Sequence, residues 1–281
     1  MVGKECAKII AFAGAGGKTT SIYAYAEKMR ALGKRVIITT TTHMQYPSGG
    51  FLPLCETAEQ AEKILAQPGK NGLKDSGNVA SGSLAVCGTD GGFSASGTHK
   101  IASLLPSEFE KCRMLCDILL VEADGAKHLP LKVPAAHEPV IPPGCDVLIV
   151  CAGLDSLNKP LETVCFRLED VKKILNSCYL QLPDSSAIQQ IDDFHIITEF
   201  DIASLLFYGY ILPQWKACSS KKICVLLNKK DVLPSLAPAQ KVADYLDGWC
   251  IPLQKECPEV LWGGVKIESV LEKPGNAVGQ S

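Results

Sequence analysis

The stretch KIIAFAGAGGKTTS, residues 8–21, decides the fold. An apolar, β-branched run passes straight into a glycine turn, and a lysine and two threonines follow at once. A strand that ends in glycines and reopens as a helix is the setting in which backbone N–H groups grip phosphate. Gly14, Gly16 and Gly17 lack the Cβ atoms that would keep phosphate oxygens off the chain, and Ala15 between them adds its own backbone amide to the phosphate-binding candidates. Lys18 then reaches the outer phosphates, the Thr19 hydroxyl can ligate Mg2+, and Thr20 completes the loop. The common pattern G-x-x-x-x-G-K-[ST] departs at one place, since its first glycine is Phe12 here. The loop matches the shorter form G-x-x-G-K-T-T.

Working outward, short apolar runs alternate with helix-period stretches, which predicts strand–helix–strand units and a mainly parallel sheet. Strands are expected at 8–14, 35–42, 117–124, 146–153 and 222–229, each apolar through its centre as in strands buried on both faces. Ile22, Tyr25, Ala26, Met29 and Leu32 recur at helical spacing before Gly33, so a helix leaves the glycine loop. Further helical patterns lie near 168–177, 201–208 and 236–247. The fold class is therefore α/β, a P-loop NTPase-like sheet with helices on both faces and loop or hairpin insertions. One domain is expected over 1–272, with an insertion around 68–98 that reads as a hairpin or lid, and a disordered tail over 273–281.

Composition narrows the function. With 47% hydrophobic and 21% charged residues the chain is an ordinary globular protein, and a net charge of −2 offers no footprint for nucleic acid. No apolar run is long enough for a bilayer span, and the N-terminal run is too short for a secretory core, so a cytoplasmic protein is expected. The 13 cysteines are odd in number and include no C-x-x-C pair. They read as reduced core residues, with a thiol that carries sulfur or selenium, or binds metal, as the alternative.

Chemistry-bearing residues gather at strand ends, the ligand edge of open α/β sheets. ILLVEADGAK supplies Glu122 and Asp124, two apart on an extended chain, as candidates for holding Mg2+; Asp124 is also a catalytic candidate. TTTTHM ends the second strand with Thr41, Thr42 and His43, whose side chains could meet metal or the terminal phosphate, although β-propensity alone also favours threonine there. VLLNKKDVL carries Asn228, Lys229 and Asp231 as N-K-x-D, the pattern by which many GTPases read guanine. A carboxylate accepts from donors on guanine that adenine lacks, and the lysine stem packs on the base. These residues favour GTP over ATP.

GAGGKTT (14–20), TTTTHM (39–44), VEADGAKHLPLKVPAAHEPVIP (121–142), AGLDSLNKPL (152–161) and LLNKKD (226–231) together resemble the YqeC family, over about residues 5–265. The resemblance implies an accessory role for selenium-dependent molybdenum hydroxylases, in making or inserting a selenium-containing molybdenum cofactor. A molybdenum hydroxylase or its cofactor-maturation proteins would then be partners. Its proline-rich central block draws attention to Lys127, Lys132, His137 and Glu138 as contacts for an anionic substrate or a developing phosphate charge. Lys127 and Lys132 join the catalytic candidates. Two other readings stay open: an ATP-dependent small-molecule kinase or ligase, because the short loop is similar to that of Mur-type ligases, and a nucleotide-switched carrier with little turnover. A dinucleotide-binding oxidoreductase fits poorly, since Thr19 stands where G-x-G-x-x-G needs its last glycine.

Overall fold

A computed structural model describes residues 6–47, 52–67, 82–94, 97–182, 190–217, 221–253 and 255–262. In chain order these form β1 (Lys8–Gly14), α1 (Lys18–Ala31), β2 (Arg35–Thr40), β3 (His43–Gln45), β4 (Leu54–Cys55) and α2 (Ala58–Leu65). Then come β5 (Ser83–Cys87), β6 (Thr89–Phe93), β7 (His99–Ala102), α3 (Pro106–Leu115), β8 (Ile118–Glu122), β9 (Leu131–Lys132) and β10 (Val147–Gly153). The remainder is α4 (Leu161–Val164), β11 (Cys165–Phe166), α5 (Leu168–Tyr179), α6 (Glu199–Leu206), α7 (Leu212–Ala217), β12 (Lys222–Asn228), α8 (Ala237–Cys250) and β13 (Glu259–Trp262).

Eight strands lie side by side in the order β13-β12-β10-β1-β8-β2-β5-β4, and every neighbouring pair is parallel. The alternation of side chains along β1 shows why its sequence is apolar throughout. Ile10 and Phe12 face Ile22, Tyr25, Ala26 and Met29 of α1. Ala11 and Ala13 face the opposite layer, built from α5, α6 and α8, while Ile9 packs with α2 and α3 at the other half of that face. A strand covered on both sides has no solvent face to make polar. Burying each such Ile or Phe side chain stabilises the fold by roughly 1.5–3 kcal/mol.

All parallel strands deliver their carboxyl ends to one edge. Register there pairs Phe12 with Glu122, Thr40 with Glu122, Gly14 with Cys151 and Gly153 with Asn228. The chain leaves β1 toward β2 on one side, while β10, β12 and β13 build out on the other. A crevice at such a reversal is where open α/β sheets bind ligands.

Two expectations change in detail. The second strand stops at Thr40, not 42, because Thr40 Oγ1 donates to the Glu122 carbonyl at 2.8 Å and accepts from Thr42 N at 3.0 Å, closing a turn. The short strand expected at LAVCG (84–88) between surface loops of an insertion forms, as residues 83–87, β5 of the main sheet between β2 and β4, buried along its whole length. The antiparallel layer is instead β3-β7-β6. Residues 68–81 of the expected insertion and the expected tail at 273–281 lie outside the described residues.

Candidate functional site

Three residues connect β1 to α1, and their backbone is set by packing. Gly14, Gly16 and Gly17 all have positive φ, at 91°, 73° and 101°. A Cβ on Gly14 would lie 2.2 Å from the Cys151 carbonyl oxygen, and one on Gly16 2.3 Å from Gly153 N, so β10 demands glycine at both. Ala15 N donates to the Cys151 carbonyl at 2.9 Å and Gly16 N to the Leu129 carbonyl at 3.1 Å, so these two amides face protein. The first turn of α1 is different. Gly17 is its N-cap, no side chain caps it, and no acidic residue occupies it. The N–H groups of a first helical turn have no intrahelical acceptor, which leaves donors and partial positive charge for an anion.

Beneath the loop runs a chain of alternating charges. Lys18 Nζ donates to the Gly14 carbonyl at 2.7 Å and sits 3.1 Å from Asp124 Oδ1, with side chains only 3% and 0% exposed. Asp124 Oδ2 also accepts from Gly14 N at 3.1 Å and from the Tyr210 hydroxyl at 3.2 Å, and lies 3.1 Å from Lys132 Nζ. Lys132 continues to Glu138 at 2.8 Å and the Gly125 carbonyl at 2.6 Å, and Glu138 to Arg167 at 2.7 Å. Burial works against the Lys18 charge, but Asp124 and Glu122 outweigh it and hold its pKa above the usual value. Burial also opposes the Glu138 charge, yet Arg167 and Lys132 bring its carboxyl down to about 2. Burial, reinforced by Asp124, pushes the Tyr210 phenol well up.

Glu122 stands apart from that chain. Its Oε2 accepts from Thr19 Oγ1 at 2.7 Å, and it lines the cleft described below. Burial pushes its carboxyl above the usual range, and Lys18 and Thr19 offset this only in part. A hydroxyl and a carboxylate side by side at the N-terminal end of a helix are hard oxygen donors of the kind Mg2+ takes from a protein.

A cleft of about 590 Å³ opens over the helix end, within the size range of small-molecule sites. Gly16, Gly17, Lys18, Thr19, Thr20 and Glu122 line one part, and Thr42, His43, Lys127 and Glu138 border it too. Gly14 and Ala15 lie beneath the cleft instead of on its walls. Thr41 donates its hydroxyl to the Val140 carbonyl at 2.7 Å. Asp124 and Lys132 are enclosed in the charge chain and line no part of the cleft. His137 is exposed outside it. None of the lining residues is a cysteine, and the described cysteines are free thiols, mostly buried.

The N-K-x-D residues divide. Asn228 reaches the glycine loop: its Nδ2 donates to the Gly16 carbonyl at 2.9 Å and to Ser21 Oγ at 3.2 Å. Lys229, at φ 62°, and Asp231 are exposed beyond the end of β12 and do not line the cleft.

Sequence reasoning missed Lys100, His128, Phe166, Arg167 and Tyr210. Lys100 and His128 line the cleft from β7 and from the loop after β8. Phe166 carries Lys127 and Arg167 over its ring, at 4.7 and 5.1 Å from the centroid. Tyr210 sits in a π-helical turn, Phe207–Ile211, inserted between α6 and α7, a form often found at functional places. A lone aromatic or basic residue in an ordinary helix or loop pattern carries no sequence signal of such a role.

The family model described as YqeC protein matches residues 10–169, more than half of the chain. The chain belongs to the YqeC family. The matched span holds the glycine loop, Glu122, Asp124, Lys132, Glu138 and Arg167, whereas Tyr210 and Asn228 lie beyond it. An "Uncharacterized protein YqeC" of Escherichia coli (strain K12) is 30% identical over 190 residues, which are 64% of this chain and 66% of the relative. This YqeC-family chain thus spans just under two thirds of that relative's length. No solved structure matches it. Among the described residues, no helix is long and apolar enough to cross a membrane.

Proposed function

We propose that this YqeC-family chain is a Mg2+-dependent P-loop nucleotide-binding protein that prefers GTP. The observation that carries the reading is the uncapped first turn of α1, opening with Lys18 and the Thr19–Glu122 pair onto one cleft. The amides of Gly17, Lys18, Thr19 and Thr20 would bind phosphate oxygens, and Lys18 would turn from the Gly14 carbonyl toward the outer phosphates. Thr19 and Glu122 would hold Mg2+, which neutralises phosphate charge when bound. Asp124 acts through position: it holds Lys18, Lys132 and the Gly14 amide together from below. Asn228 ties the base-side strand to the loop, and Asp231 is the candidate reader of guanine.

Within the family resemblance, this nucleotide chemistry would serve maturation of the selenium-containing cofactor of molybdenum hydroxylases, with those enzymes or their maturation proteins as partners. Support for that setting comes from the family block around residues 121–142. The direct test is a calorimetric titration of the purified chain with slowly hydrolysed GTP and ATP analogues, with and without Mg2+. Tight, Mg2+-dependent binding of the GTP analogue is expected. Equal binding of both nucleotides would remove the guanine assignment, and absence of binding to either would remove the nucleotide reading.

A further inference from the structure

The cleft extends beyond its phosphate end. Its outer walls come from two separate elements: His43 and Lys100 belong to the antiparallel β3-β7-β6 layer, and Lys127 and His128 to the loop that follows β8. Neither Lys100 nor Lys127 makes an ion pair among the described residues; Lys127 rests on Phe166. Of the two carboxylates on the cleft, Glu138 is ion-paired by Lys132 and Arg167 and Glu122 stands at the loop end beside Thr19. The outer walls therefore carry unpaired positive charge, Lys100 on one and Lys127 on the other, a field that concentrates anions. Lys127 and His128 are consecutive non-glycine residues held at φ 48° and 64°, a conformation that collects at ligand-binding positions. Thr42, next to His43 on the other wall, has a hydroxyl with no hydrogen-bond partner among the described residues. The base-reading candidates lie outside the cleft, so a nucleotide read by them brings its terminal phosphates, not its base, into this space.

We infer that the outer half of the cleft binds a second substrate, a small molecule carrying a carboxylate or phosphate, between Lys100 and Lys127 and facing the terminal phosphate held at Lys18 and Thr19. The inference rests on the nucleotide reading of the loop and names the class of partner substrate for it. The protein is then built to present an acceptor to the nucleotide, with the phosphate end and the acceptor end on one cleft.

The test uses the full chain saturated with Mg2+ and the nucleotide analogue it binds, titrated by calorimetry with inorganic phosphate and separately with citrate. One of the two anions should bind, and its identity separates a phosphate-bearing from a carboxylate-bearing substrate. In Lys100→Ala/Lys127→Ala, anion affinity should fall roughly tenfold or more, the effect of losing charge-assisted hydrogen bonds, while nucleotide affinity changes far less. Lys100→Gln/Lys127→Gln repeats the measurement with side-chain bulk retained, and thermal unfolding of both variants verifies the fold. Nucleotide binding with no anion uptake, or anion uptake that both variants retain, overturns this inference and leaves the nucleotide reading standing. A chain that binds no nucleotide sinks both.

Discussion

Lys18 and Asp124 meet at 3.1 Å with their side chains almost wholly withdrawn from water, although the residue that would bind phosphate opens α1 and the residue that restrains it follows the end of β8. The pair does not stand alone. Asp124 is shared by Lys132, Tyr210 and the Gly14 amide, so a single carboxylate sets the position of the loop, of its lysine and of the proline-rich segment.

That sharing predicts an order of stability. Asp124→Asn leaves two buried ammonium groups without their common carboxylate, whereas Lys18→Met leaves Asp124 its other three partners. Asp124→Asn should therefore be the more damaging, by an amount approaching the roughly 3–5 kcal/mol for stripping a buried pair of one member. Urea unfolding of the two variants checks it. A larger loss for Lys18→Met would contradict the clamp role.

Glu122 predicts the reverse trade. Its charge is opposed by burial, so its folded pKa is raised. A raised folded pKa favours the fold below the unfolded value and takes stability away as pH rises through the folded value. Glu122→Gln removes that burden, and its thermal midpoint at neutral pH should equal or exceed that of the native chain. Its nucleotide binding should no longer respond to Mg2+. Mg2+-dependence that survives in this variant would be evidence against Glu122 as a metal ligand.

Glu138 titrates with the opposite sign. Its carboxyl is lowered from 4.5 to about 2 in the fold. Its contribution is present above the unfolded value and disappears as pH falls from there through the folded one. Glu138→Gln should flatten the pH dependence of stability across that acid window, measured by denaturant unfolding at stepped pH. A profile identical to that of the native chain would mean that the Arg167 and Lys132 pairings contribute nothing.

Asn228 and Asp231 are separable by ligand. Asn228→Ala cuts the ties to Gly16 and Ser21 and should weaken GTP and ATP analogues alike. Asp231→Asn should weaken the GTP analogue alone, by roughly 1.5–3 kcal/mol for a lost charge-assisted bond. If the second variant keeps its guanine preference, the N-K-x-D match is only a turn.

The loop glycines should differ among themselves. Gly16→Ala drives a Cβ into the Gly153 backbone and should prevent stable folding. At Gly17 the nearest atom is the Asn228 side-chain nitrogen at 3.4 Å, so Gly17→Ala should cost only the strain of its positive φ, roughly 1–3 kcal/mol. Circular dichroism and thermal unfolding distinguish the two.

The sequence by itself determined the sheet, the glycine turn and the acid strand. Apolar runs covered on both faces are written in local composition, and a lysine placed just after a glycine turn needs no distant residue to be recognised. β5 shows the limit: its apolar run is short and flanked by polar, glycine-rich segments, so only pairing with β2 reveals a main-sheet strand. What only the tertiary structure decided is which charged residues face ligand and which face one another. Glu122 and Asp124 are two apart in the chain, yet one lines the cleft and the other is enclosed by Lys18, Lys132 and Tyr210. Lys100, Lys127 and His128 become neighbours of one space only when β7 and the loop after β8 are folded around it. Burial and charge pairing depend on residues brought together from across the chain, which local periodicity cannot encode.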